Sequence, residues 1–168
     1  MLPLPSKLFC SIFNYIQNNN SFFFCRNLTQ DDYDYLASCP VMFHMPFLND
    51  AVVVHGGLDP NITSLQDQIP YLVMNMRDID NNGPSPENNV GTQWGTIWNE
   101  KQQNLTLDNT EIFYGHDASR GLNLKNYTFG LDTGCVYGNE LTAMNVRTKV
   151  MTQIKCPLYV KQGGTDDD

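Results

Sequence analysis

Residues 111–144 read EIFYGHDASRGLNLKNYTFGLDTGCVYGNELTAM. The β-prone run Ile112-Phe113-Tyr114 stops at Gly115-His116, as a buried strand does when it delivers a side chain to a sheet edge. A polar loop follows. Then come a strand over Tyr127–Leu131, a turn at Asp132-Thr133-Gly134, a second strand at Cys135–Tyr137, a tight turn at Gly138-Asn139 and a third at Leu141–Met144. One Gly-His pair says little by itself. Upstream, however, VVVHGGLDP (residues 52–60) repeats the plan of strand, histidine and glycine. Two such strands side by side would set His55 and His116 together at one edge of a sheet, where α/β proteins build their sites. Two neutral imidazoles facing one cation are a normal start to a zinc, manganese or iron site, and the glycines would let backbone approach the bound group. The competing reading is that each histidine caps its strand by bonding a loop carbonyl.

Outward from these stretches, Thr29 is placed to cap a short helix with Asp32 in its first turn, ending before Pro40. Val41–Met45 reads as a strand carrying His44 in a structural role. Asn49-Asp50 reads as a turn, and Ala51–Val54 as a wholly apolar, buried strand. A helix is expected from about Tyr71 to Arg77, with Pro70 near its first turn. Residues 78–93 are polar and turn-rich and read as a surface loop. Trp94 and Trp98 would share one helical face. The meander continues from Val146 to Ile154.

The 168 residues suffice for one domain, and 41% hydrophobic against 17% charged residues indicates a globular chain. No run reaches the roughly 18–20 apolar residues of a membrane helix. A net charge of −8 argues against a nucleic-acid module. The five cysteines have no zinc-ribbon spacing and leave open buried thiols, or one or two disulfides plus a free thiol. Sequons at Asn19, Asn27, Asn61, Asn104 and Asn126 point to a lumenal or secreted chain, with the cytoplasm as the alternative.

VVVHGGLDP, then FYGHDASRGL, then YTFGLDTGCVYGNELTAM together resemble the C-terminal half of the calcineurin-like metallophosphoesterases. The resemblance extends to the branch holding symmetrical diadenosine tetraphosphatases and fungal zinc-dependent endopolyphosphatases. LTQDDYDYLASCP and WGTIWN look like that fungal branch too, so it covers Leu28 to Met151. It implies an α/β, strand-rich, incomplete half of a two-sheet sandwich, with a two-metal site between the sheets. By motif, His55 and His116 match the two histidines on the second metal. Divalent zinc, manganese or iron is the implied cofactor, and polyphosphate or a dinucleoside polyphosphate the implied substrate. Arg120 is positioned to hold a substrate phosphate with its forked donors, or else to make a surface ion pair. Arg77 is a weaker candidate of the same kind.

The Asp-x-His, Gly-Asp-x-x-Asp-Arg-Gly and Gly-Asn-His blocks of that family are absent from the chain, so no catalytic residue is assigned. The expectation is a truncated phosphoesterase, inactive alone. The alternative is a non-catalytic lumenal glycoprotein or interaction remnant. Residues 1–25 read as an atypical segment, 26–160 as the partial phosphoesterase domain, and 161–168 as a disordered acidic tail.

Overall fold

The computed structural model describes residues 28–104 and 109–159. Expectations for residues 1–25 and 161–168, for Cys10 and Cys25, and for the sequons at Asn19 and Asn27 lie outside the described residues. The chain divides into two compact units, residues 1–41 and 42–168.

In the first unit, helix α1 (Gln30–Ser38) begins with a reciprocal cap. The Asp32 amide donates to the Thr29 hydroxyl, and the Asp32 carboxylate accepts from the Thr29 amide at 2.7 Å.

The second unit is built on a five-stranded sheet. Strands β1 (Met42–Met45), β2 (Ala51–Val54), β6 (Ile112–Tyr114), β7 (Asn123–Leu124) and β8 (Thr128–Gly130) lie in the order β1-β2-β6-β8-β7. β2, β6 and β8 are parallel to one another, and β1 and β7 run antiparallel at the two edges. Val52 pairs with Ile112, and Ile112 with Thr128. Strand alternation therefore gives one face to Val52, Ile112, Tyr114, Thr128 and Gly130, and the other to Ala51, Val53, Phe113 and Phe129.

Helix α3 (Trp94–Gln103) covers the first face. Trp94 meets Tyr114 edge-on at 4.9 Å, and Trp98 donates from Nε1 to the Thr110 carbonyl. Asn99 donates to the Thr128 hydroxyl at 2.7 Å and accepts from the Tyr127 amide at 2.8 Å. These bonds satisfy polar groups that burial would otherwise leave costly.

On the other face, Met45, Ala51, Phe113 and Phe129 form a cluster closed by Leu48, Leu131, Met144 and Val146. Phe113 and Phe129 stack at 4.7 Å beneath the Lys149 ammonium. That cover reaches Met45 and Ala51 but stops short of Phe43 in β1 and Val53 in β2. Phe43 is 50% exposed and Val53 37%, so β2 is not buried along its whole length as its sequence suggests.

Helix α2 spans Pro70–Asn75, ending earlier than expected because Met76 turns extended. Residues 78–93 are not a loop. They form a small antiparallel sheet, β4-β3-β5, from β3 (Asp78–Asp80), β4 (Gly83–Ser85) and β5 (Thr92–Gln93). Residues 135–137 are not a strand either. Gly134 and Gly138 both take positive φ, so this segment turns, and its β pairing is limited to isolated bridges. β9 (Glu140–Met144) and β10 (Met151–Lys155) form a hairpin with β10 exposed throughout. A Cys135–Cys156 disulfide closes its open end, and Cys39 is a free thiol.

Candidate active site

β2 and β6 leave the sheet together. Beyond their paired residues, the Gly115 amide donates to the His55 carbonyl at 2.9 Å, which carries the parallel ladder past the last strand positions. His116 then takes φ +57°, a left-handed conformation uncommon outside glycine. The turn brings the His116 imidazole to the exposed ring of His55, with centroids 4.7 Å apart and planes tilted by 39°. The strand-and-histidine plan of the two stretches thus produces the convergence it implied.

His116 is held in this turn from outside. Arg77, just before β3, donates from Nε to the His116 carbonyl at 3.0 Å and from Nη1 to the Pro86 carbonyl at 2.6 Å. Partial burial lowers the His116 pKa below its ordinary value. The Arg77 cation and His55 lower it further, against the pull of Asp132 and Asp117. The imidazole is thus biased toward its neutral form, the one that presents a lone pair.

The glycines after His55 do something other than make room for a bound group. A Cβ on Gly56 would stand 2.9 Å from the Asn75 amide, and one on Gly57 2.5 Å from the Trp94 indole. Both amides donate to the Val73 carbonyl. Close packing of the α2 and α3 segments is what requires glycine here.

Beside the histidines lies a buried charge network. Arg120 bonds Asp78 from Nη2 at 2.6 Å, and from Nη1 it bonds both Asp117 at 2.9 Å and Asn88 at 3.0 Å. Asp78 is fully buried, and its other oxygen accepts from the Val90 and Gly91 amides. Against the desolvation of burial, the Asp117 and Asp78 carboxylates raise the Arg120 pKa. The ion-pair alternative for Arg120 is therefore what the geometry shows, although the pair is interior and not on the surface.

The other carboxylates nearby are similarly engaged. Asp132 accepts from the amides of Asp117 and Gly134, and Asp59 from that of Asn61. Tyr114, immediately before the site, is pushed up to about 12 by burial and accepts from Gln93 at 2.9 Å. It stays a neutral phenol at any physiological pH. His44 stands apart in β1, bonded to Asp50 at 2.5 Å.

Asp78 is the residue sequence reasoning missed. Its only signal was a carboxylate next to Ile79 inside a stretch whose glycines and prolines read as loop. The two imidazoles suit a divalent first-row cation in kind. Among the described residues, however, no group of three or more His, Cys, Asp or Glu side chains is placed to hold one. The donor set fits a metal centre in type but falls short in number.

No family model matches the chain. It is similar to the zinc-dependent endopolyphosphatase of Saccharomyces cerevisiae, 37% identical over 100 residues that cover 55% of this chain and 30% of that protein. To the symmetrical bis(5'-nucleosyl)-tetraphosphatase of Janthinobacterium sp. it is 41% identical over 66 residues, covering 39% of this chain and 24% of that one. To the enzyme of the same name from Coxiella burnetii it is 38% identical over 60 residues, covering 35% and 19%. A crystal structure described as a "putative diadenosine tetraphosphatase" superposes with a TM-score of 0.71 at 24% identity, over 89% of this chain and 66% of the other. The chain thus spans less than a third of the length of these curated relatives. Over that share it is similar to the endopolyphosphatase and symmetrical tetraphosphatase branch of the calcineurin-like metallophosphoesterases, and it has the mixed α/β, strand-rich fold of a diadenosine tetraphosphatase.

Proposed function

We propose that this chain carries the second-metal histidine pair of a phosphoesterase acting on polyphosphate or dinucleoside polyphosphates. The observation that supports this most is the convergence of His55 and His116 at the ends of adjacent parallel strands, in a chain similar to a zinc-dependent polyphosphatase. On this reading His55 and His116 are two ligands of a divalent site, and the described residues by themselves do not catalyse. Arg120 shapes the loop after His116 and does not hold phosphate directly.

Metal content by mass spectrometry of the purified chain is the test, together with polyphosphate and dinucleoside tetraphosphate hydrolysis in zinc or manganese. Weak metal retention lost in His55→Ala and His116→Ala, without turnover, agrees with the proposal. Turnover abolished by both substitutions would show that the two histidines suffice with partners unrecognised here. Retention unchanged by both would remove the metal reading.

The Cys135–Cys156 disulfide supports a vacuolar or secretory lumen over the cytoplasm, since such bonds persist in oxidising compartments. In that compartment the chain suits the phosphoesterase reading and also a second one, a non-catalytic lumenal glycoprotein.

A further inference from the structure

The exposed strip of α3 is flanked by two asparagines from distant parts of the chain, each opening an Asn-x-Thr sequence. On one flank, Lys101 reaches from the helix to the Pro60 carbonyl and to Asn61 Oδ1, both at 2.8 Å. On the other, Asn126 and Lys125 line a shallow cleft with Thr96, Glu100 and Gln103. Asn61 and Asn126 are both exposed. Neither uses its Nδ2 in any hydrogen bond among the described residues, so the atom that would carry a sugar is unencumbered in both.

The two sequons differ in their threonines. Thr63 is exposed. Thr128 is fully buried in β8, where its hydroxyl accepts from Asn99, and the Tyr127 amide between it and Asn126 is bonded to the same Asn99. A transferase must read the threonine together with the asparagine. In the folded chain it can do so at residues 61–63 and not at 126–128.

We infer that Asn61 and Asn126 both carry N-glycans bracketing α3, and that Asn126 accepts its glycan only before β8 joins the sheet. The donor is a lipid-pyrophosphate-linked oligosaccharide. The amide Nδ2 forms a bond to the sugar C1, the C1–O bond to pyrophosphate breaks, and the lipid pyrophosphate leaves with the electron pair and takes up the amide proton. Once attached, the bulky hydrophilic chains cover the α3 side of the molecule. The uncovered Phe43 and Val53 patch lies on the opposite face of the sheet, which carries neither sequon. The inference rests on the lumenal reading above, so the two need separate tests.

Secretion of the full chain from a fungal host behind a foreign leader imposes the compartment. Amidase release in heavy-oxygen water, followed by peptide mass spectrometry, then reads each asparagine. Label at both Asn61 and Asn126, absent from Asn61→Gln and Asn126→Gln respectively, is the expected result. A formed Cys135–Cys156 disulfide with either asparagine unmodified overturns the inference.

Timing is read on sugar-free folded protein given to purified oligosaccharyltransferase with lipid-linked donor, before and after unfolding in urea and dilution. Asn61 should be modified in both states and Asn126 at least tenfold more after unfolding. Equal modification of Asn126 in both states overturns the order proposed. The lumenal reading is judged apart, on protein from its natural source, where unmodified asparagines with a reduced Cys135–Cys156 pair would refute it alone.

Discussion

The parallel strands β2, β6 and β8 have two ends, and the ends are furnished differently. At the carboxyl end stand His55, His116 and the Arg120 network. At the amino end is a cavity of about 780 Å³ lined by Pro46, Asn49, Asp50, Asn109, Glu111 and Tyr127. The cavity marks the second end and the chemistry the first. In the cavity the charged groups are already paired, Asp50 with His44 and Thr110 and Glu111 with Lys149, and the side chains of the His44–Asp50 pair are 36% and 40% exposed. At the other end the Asp78 and Asp117 carboxylates are interior, their side chains 0% and 7% exposed. Volume locates empty space, whereas buried carboxylates held by one guanidinium locate constraint.

The comparison breaks most sharply at Arg120. Arg120→Ala would strand the Asp78 carboxylate without its cation, a change that costs about 3–5 kcal/mol for a buried pair. The urea midpoint should fall accordingly. A loss below about 1 kcal/mol would show the guanidinium to be dispensable for folding and free to serve a ligand. Next comes the disulfide. It closes a sequence separation of 21 residues, so Cys135→Ser with Cys156→Ser should lower stability by about 3 kcal/mol. Thermal melts with and without reductant would check this, since reductant should act on the parent and leave the double variant unmoved. Gly57→Ala forces a methyl against Trp94 and should cost about 1–3 kcal/mol, with the tryptophan emission shifted.

At the amino end the effects shrink. His44→Ala breaks a half-exposed pair and should move stability by at most about 1 kcal/mol; a larger loss would erase the distinction between the two ends. The smallest effect concerns pH. Because the folded chain lowers the His116 pKa from its ordinary 6.5, the unfolded chain binds more protons between the two values. The contribution is complete above about pH 6.5 and is lost as pH falls through that value toward the folded one. His116→Asn should flatten that part of the stability profile, and an unchanged slope would assign it to other groups.

What was legible in the sequence follows the range of the forces involved. Strands β2 and β6, the Thr29 cap and the shared face of Trp94 and Trp98 are local patterns, and the structure contains them. The pairing of His55 with His116 was readable because two strands of the same design most simply lie together. The β3–β5 sheet was not, because Pro84 and Gly83 occupy a strand whose neighbours, and not its own propensities, hold it extended. Arg120 was identified as a forked donor, but its acceptor was hidden. Nothing near Asp78 in the chain announces that a residue in β3 will be fully buried. Residues 135–137 read as a strand from their side chains, while the glycines on either side turn the backbone out of one.

The Gly115 amide donates to the His55 carbonyl just past the paired residues of β2 and β6. The bond joins the backbones of the two histidine-bearing segments directly, at His55 itself and one residue before His116, so neither strand end can slide without carrying the other. The sheet therefore acts as a gauge block. The gap between the imidazoles is set when the strands pair, and any ion that arrives afterwards is measured against a spacing it did not choose.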